Sequence, residues 1–150
     1  MWDKILKGLA AVTGAIAGLF GEWHVTLTIL VAVMAIDYIT GLIVAACGRS
    51  PKSEKGGLSS KVGFIGLAKK AFIMLVVLLA TLLDKALGDT TMIFQMAATF
   101  YYIANEGLSV LENAALLDVP FPKKLKQALE SMKEKNSENT TDKPPDEKDE

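Results

Sequence analysis

Cysteine and histidine are almost missing from this 150-residue chain, which has one of each, Cys47 and His24. One cysteine excludes an internal disulfide framework and a cysteine-cluster metal site. One histidine leaves a catalytic dyad or a histidine-based metal site little to build on. A phosphate-cradling loop is also missing, because Gly56-Gly57 and Gly63-x-x-Gly66 lack the GKS/T ending and a preceding strand. Basic excess is absent too: 16 lysines and arginines face 17 acidic residues, for a net charge of -1. No global field therefore attracts nucleic acid, and no nucleic-acid-binding motif is found. The expectation is a chain without enzymatic activity, cofactor, metal or nucleic-acid partner.

What the chain has in quantity is apolar residue, 51% of the total, with only 7% aromatic. The charges gather at the first few residues, around Arg49 to Lys70 and beyond Glu112, with long apolar blocks between. A membrane-crossing helix needs roughly 20 mostly apolar residues for a hydrocarbon core of about 30 Å. Candidate spans lie near 5–20, 23–47, 67–87 and 90–111. The third is entered through Lys69 and Lys70, which can snorkel to the interface. A short turn at 84–89 follows it, with Gly88 as helix stop. The fold class expected is all-α: an integral membrane helical protein with three to four transmembrane helices in residues 1–117. A cytoplasmic basic amphipathic helix at 118–135 and a disordered charged tail at 136–150 would follow.

The N-terminal block is the ambiguous one. Ile5, Leu9, Val12, Ile16 and Leu19 form a bulky helical face, and Gly8, Ala11, Ala15 and Gly18 a small one. A continuous helix would separate Trp2 from Trp23 by about 31 Å at 1.5 Å per residue, which suits aromatic anchors at two interfaces. An interfacial helix lying flat is the alternative. Val44, Ala45, Ala46 and Cys47 resemble a lipoprotein cleavage box, but Asp37 interrupts the apolar run before it. A secretory signal ending near Gly21 is disfavoured by Phe20, where a small residue is wanted.

Basic residues in short loops set orientation. Arg49, Lys52, Lys55, Lys61, Lys69 and Lys70 mark the central connection as cytoplasmic, with Lys61, Lys69 and Lys70 as its candidate functional basic residues. Lys123, Lys124 and Lys126 do the same for the segment after the last span, placing the C-terminus in the cytoplasm. With four spans the N-terminus joins it there; with three it lies outside.

Three features inside the apolar blocks carry the chemistry. Asp37 sits near the middle of its block, where an uncompensated charge costs about 2.5–3.5 kcal/mol on insertion scales. It must face protein or water or lose its charge; it could line an aqueous lesion, cap a neighbour, or pair with Lys70. Thr40 and Gly41 share its face. The second feature is a polar stripe, Asn105, Glu106, Ser109, Glu112 and Asn113, at spacings of three and four, which serves as interhelical glue or as a wetted wall. The third is Gly14-x-x-x-Gly18, extended backwards by Ala10, which lets two helices approach closely, within one subunit or between subunits.

Four groups of residues together carry a resemblance. They are Asp37-x-x-x-Gly41, then Ser59 through Gly63-x-x-Gly66 to Lys70, then Glu106-x-x-Ser109-x-x-x-Asn113, then Pro120-x-Pro122-x-x-Leu125. In order and spacing, from about Trp23 to Leu129, the chain resembles the bacteriophage holin family that includes the toxin-export holins. It departs at Asp118, where family members often have glycine, and at Glu22-Trp23-His24, where many have glycine, tryptophan and aspartate. The resemblance implies a non-catalytic protein of the bacterial cytoplasmic membrane that forms homo-oligomers in the lipid bilayer. It would open lesions through which an endolysin, or in some relatives a toxin, leaves the cell. A small transporter or ion channel using Asp37 or Glu106 is the alternative class, and a membrane anchor recruiting a soluble partner through the tail is another.

Overall fold

The computed structural model describes residues 1–88 and 90–138, which form five helices and, among the described residues, no strand. Helix α1 spans Trp2–Phe20, α2 Val25–Ala46, α3 Ser60–Leu87, α4 Ile93–Leu116 and α5 Lys123–Glu138. The breaks fall where backbone chemistry demands them. Gly21 turns the chain after α1 at φ 77°, and Gly88 ends α3 in the left-handed conformation at φ 69°. Pro122 stands immediately before α5. The helix extends through Glu138, past the expected tail boundary at 136; the rest of the expected disordered tail lies outside the described residues.

Two helices, α2 and α3, are long and apolar enough to cross a membrane, fewer than the three to four expected. The reason is residue content: α1 carries Asp3, Lys4 and Lys7, and α4 carries Gln95, Thr99, Asn105, Glu106, Glu112 and Asn113. Neither α2 nor α3 resembles the core helix of a soluble domain, since 22% and 6% of their most apolar stretches are buried. Their outer faces present Ile29, Ile36, Ile39, Phe72, Leu75 and Leu79. So much apolar side chain facing outward fits a lipid-facing surface.

Helix α4 is the centre of the bundle, packed against α2, α3 and α5, while α1 touches mainly α3. The apolar core is small: Phe20, Leu27, Leu30, Met34, Val77 and Ile103, with Met132 of α5 resting against it. Trp23 folds back over this end instead of continuing α1. Its ring meets Phe20 edge-on at 5.7 Å and its Nε1 donates to Thr28 Oγ1 at 2.9 Å.

Asp84 corrects the reading of 84–89 as the turn between the spans. It lies within α3, fully buried, and its two carboxylate oxygens accept the backbone N–H groups of Phe94 (3.0 Å) and Gln95 (2.8 Å). A residue of α3 thus caps the N-terminus of α4 across the hairpin, where the first helical N–H groups lack intrahelical acceptors. Next to it, Lys85 Nζ donates to the Leu19 carbonyl at 2.6 Å and ties the end of α1 to the same hairpin. Asp84→Ala is expected to lower stability by about 2–3 kcal/mol through loss of two charge-assisted bonds. Asp84→Asn should retain part of this. Denaturant unfolding of the detergent-purified chain measures it, and equal stability of all three proteins would show the cap to be idle.

At the opposite end of the bundle, Arg49 Nη1 donates to the Leu116 carbonyl (3.0 Å) and to Asp118 Oδ2 (2.7 Å). Asp118 has φ 60°, a left-handed conformation in which glycine is unstrained. Aspartate is tolerated there better than most residues, and here its carboxylate also joins the α2–α3 connection to the end of α4.

Candidate functional site

A charged polar layer, assembled from α2, α3 and α4, crosses the bundle's interior. From α3, Lys70 Nζ donates to Asp37 Oδ2 of α2 at 2.7 Å and to the Glu106 carboxylate of α4. The side chains of Lys70, Asp37 and Glu106 are only 13%, 12% and 8% exposed. From α4, two turns beyond Glu106, the Asn113 Nδ2 donates to Asp37 Oδ1 at 3.1 Å and to Thr40 Oγ1 at 2.9 Å. Thr40 Oγ1 in turn donates to the Asp37 backbone carbonyl at 3.0 Å. Both carboxylate oxygens of Asp37 are therefore satisfied by protein groups.

The local sequence explains the assembly. Asp37, Thr40 and Gly41 lie within one turn of α2, and Glu106 and Asn113 are separated by two turns of α4, so each set presents one face. Gly41 stands beside the amide, where an added Cβ would meet Asn113 Nδ2 at 3.8 Å, an ordinary contact distance. Lys70 does not snorkel outward but turns inward, because two carboxylates await it at that depth. An unpaired charge in this setting is costly, and a buried pair is tolerable only with its remaining hydrogen bonds made. Counting formal charges, one lysine against two carboxylates leaves the layer with a net charge of -1.

Of the other candidate residues, Asn105 and Ser109 line a groove beside the layer without joining it. Glu112 is exposed and faces away, so the stripe read from spacing splits over more than one face. Lys61 and Lys69 remain exposed on α3, apart from Lys70. In α1, Ala10 is exposed, and a Cβ built on Gly14 or Gly18 would meet nothing within 4 Å. The small-residue face thus serves no packing inside this chain.

The spacing of residues also concealed a fit between α2 and α3. Tyr38 lies beside Gly63 and Gly66, whose added Cβ atoms would stand 3.5 Å from its hydroxyl and 3.7 Å from its ring. The Gly63-x-x-Gly66 spacing, one helical turn, was the available signal. In the structure this turn of α3 lies against an aromatic side chain of α2.

The sequence profile described as "Bacteriophage holin family" matches residues 14–134. The chain belongs to the bacteriophage holin family. This family consists of non-enzymatic membrane proteins. Among its relatives, a protein of Bacillus phage phi105 named "Probable holin" is 32% identical over 124 residues, covering 83% of this chain and 85% of the relative. An uncharacterised 14.9 kDa protein of Clostridium perfringens is 38% identical over 133 residues, covering 89% and 96%. An uncharacterised protein of Halalkalibacterium halodurans is 39% identical over 136 residues, covering 87% and 96%. No solved structure matches the chain at a significant level. Within the holin family, then, the layer around Lys70 is the feature of this chain that calls for a functional account.

Proposed function

We propose that the chain is a working holin: it accumulates in the bacterial cytoplasmic membrane, self-associates, and opens lesions through which an endolysin or an exported toxin crosses. The observation that carries this reading is the family match over residues 14–134. The polar layer supports it physically. While Asp37, Glu106, Lys70 and Asn113 satisfy one another inside a single chain, the surrounding apolar faces can rest in lipid. When chains associate and the helices separate, the same groups become a hydrophilic wall without any change of residue.

In this reading α1 to α4 supply the three to four spans. Helix α4 crosses as a bundle member, its polar face covered by α2 and α3. The connection at 47–59, the basic start of α3, and α5 face the cytoplasm, with both termini on that side when four helices cross. The uncovered glycines of α1 provide a surface for a second copy, since close helix contact in a bilayer relies on small residues.

The test is induced expression in a bacterial host, with membrane potential and escape of a co-expressed endolysin followed together. Delayed, abrupt depolarisation accompanied by enzyme release is the expected result. A selective ion leak without protein escape would replace this reading with that of a channel using Asp37 or Glu106. In the same host, Gly14→Leu is expected to reduce the higher rungs of a crosslinking ladder severalfold and to delay release. An unchanged ladder would remove the α1 face from the account.

A further inference from the structure

We propose that the cytoplasmic end of the α2–α3 pair is a binding site for one anionic phospholipid of the inner leaflet. This rests on the membrane placement given above, but not on lesion formation. Two adjoining concavities meet around the start of α3. The inner one, about 190 Å³, runs between α2 and α3 from the Lys70 layer towards the loop, with Leu42, Val62, Gly63 and Gly66 along its walls. The outer one, about 530 Å³, is bordered by Lys52, Lys55 and Lys61, with Glu54 the one acidic residue on its rim. Lys52, Gly57, Leu58, Ser59 and Val62 belong to both.

The shape is that of an amphiphile: a cationic mouth opening onto a narrower, mainly apolar slot. Charge complementarity selects the occupant. Between Arg49 and Lys70 the chain carries six basic residues and one acidic one, Glu54. Arg49 is engaged with Asp118, and Lys70 with Asp37 and Glu106. Lys52, Lys55, Lys61 and Lys69 form no ion pair among the described residues. Basic pockets between helices on the cytoplasmic side suit anionic headgroups.

The mouth is built rather than loose. Ser50 N–H donates to the Gly56 carbonyl at 2.9 Å, and Ser53 Oγ to the Gly57 carbonyl at 2.7 Å. Gly56 has φ 69°, and a Cβ there would stand 2.3 Å from the Gly48 carbonyl oxygen, so only glycine closes this turn. The turn fixes where Lys52 and Lys55 start, while Lys61 rises from the first turn of α3. Ser59, which precedes α3, makes no side-chain cap bond, and the helix's first N–H groups add positive potential at the same mouth. The phosphate sits among the three lysines, and the glycerol and the start of an acyl chain enter the slot beside Val62.

The experiment uses the full chain purified in detergent, titrated with short-chain phosphatidylglycerol or phosphatidylcholine and read by native mass spectrometry. One phosphatidylglycerol retained per chain, with phosphatidylcholine bound at least tenfold more weakly, is expected. Replacing Lys52, Lys55 and Lys61 together by glutamine should weaken retention roughly 10- to 100-fold, given the contribution of each basic residue near an anionic headgroup. Val62→Trp keeps every charge and fills the slot; it should weaken lipid retention severalfold at unchanged helicity. The triple replacement of Lys123, Lys124 and Lys126 by glutamine alters charge equally outside the groove and should change retention less than twofold. Equal retention of both lipids, equal loss in the α5 variant, or displacement by equimolar inorganic phosphate would each overturn the proposal. Lysis timing is not the readout, so a chain that binds the lipid but fails to release endolysin would refute the holin reading alone.

Discussion

Lys70→Met is expected to be the most damaging single substitution in the bundle, while Asp37→Leu inserts normally and shifts only the onset of lysis. The difference follows from charge counting. Lys70 holds two buried carboxylates, those of Asp37 and Glu106. Removing Asp37 leaves a one-to-one Lys70–Glu106 pair. Removing Lys70 leaves two carboxylates facing each other with no cation, and breaking a buried pair from one side costs about 3–5 kcal/mol. That is a large share of the roughly 5–15 kcal/mol that holds a domain folded. Lys70→Met should therefore lower the amount of membrane-inserted protein severalfold. Adding Asp37→Asn and Glu106→Gln to it should restore insertion, because the charges left without a partner are then gone. Quantitative blotting of membrane fractions, paired with depolarisation times, distinguishes these outcomes. Equal abundance of Lys70→Met and wild type would show that the layer does not hold the bundle together, and an Asp37→Leu onset identical to wild type at equal abundance would detach the layer from timing.

Much of this architecture is legible in the sequence, and the exceptions have a common origin. Four helices follow from apolar blocks and α5 from the basic amphipathic pattern after Pro122, since those signals are local, whereas the break at Gly21, where Trp23 leaves the line of α1, does not show in the helical pattern. Pairing of Asp37 with Lys70 is legible as one option among several. Its realisation depends on the rotation of α2, α3 and α4 about their axes, which no linear spacing fixes. For the same reason Lys70 reads as a residue that could snorkel until Glu106 is seen to face it. The span read at 90–111 falls within the region of helix α4, which runs Ile93–Leu116, and which neighbours the polar stripe at 105–113 meets depends on the same rotation. Asp84 misleads in another way. A carboxylate four residues before Gly88 reads as part of the turn, yet it meets the start of α4, a contact created only when the hairpin closes. Gly107 gives no local signal at all, although α5 packs directly on it.

Gly107→Leu is expected to release α5 from α4, making its lysines open to trypsin. In the structure a Cβ at Gly107 would lie 3.1 Å from both terminal methyls of Leu129, tighter than ordinary contact. Farther along α5, Met132 rests on the core and Lys133 Nζ stands 5.8 Å from the Tyr101 ring centroid. Docking therefore gains a partly buried leucine, less than the about 1.5–3 kcal/mol of full burial, and a cation–π contact of about 0.5–2 kcal/mol. Against that, α5 carries Lys126, Glu130, Glu134 and Lys135 alongside α4. At hydrocarbon depth each charge facing lipid would cost about 2.5–3.5 kcal/mol, more in sum than docking gains. The docked helix thus suits surroundings in which the outer face of α4 meets water, and placement on the inner leaflet suits an intact bilayer. Overpacking of about 1–3 kcal/mol at Gly107 should shift the balance roughly 5- to 150-fold towards the released helix. In detergent, tryptic cleavage within α5 should quicken from wild type to Gly107→Ala to Gly107→Leu, and Leu129→Ala, which removes the leucine contact itself, should quicken it as well. In intact inverted vesicles the bilayer has already released the helix, and all four proteins should be cut at one fast rate. A wild-type rate in vesicles as slow as in detergent would place α5 on α4 in both settings and refute the two-position account.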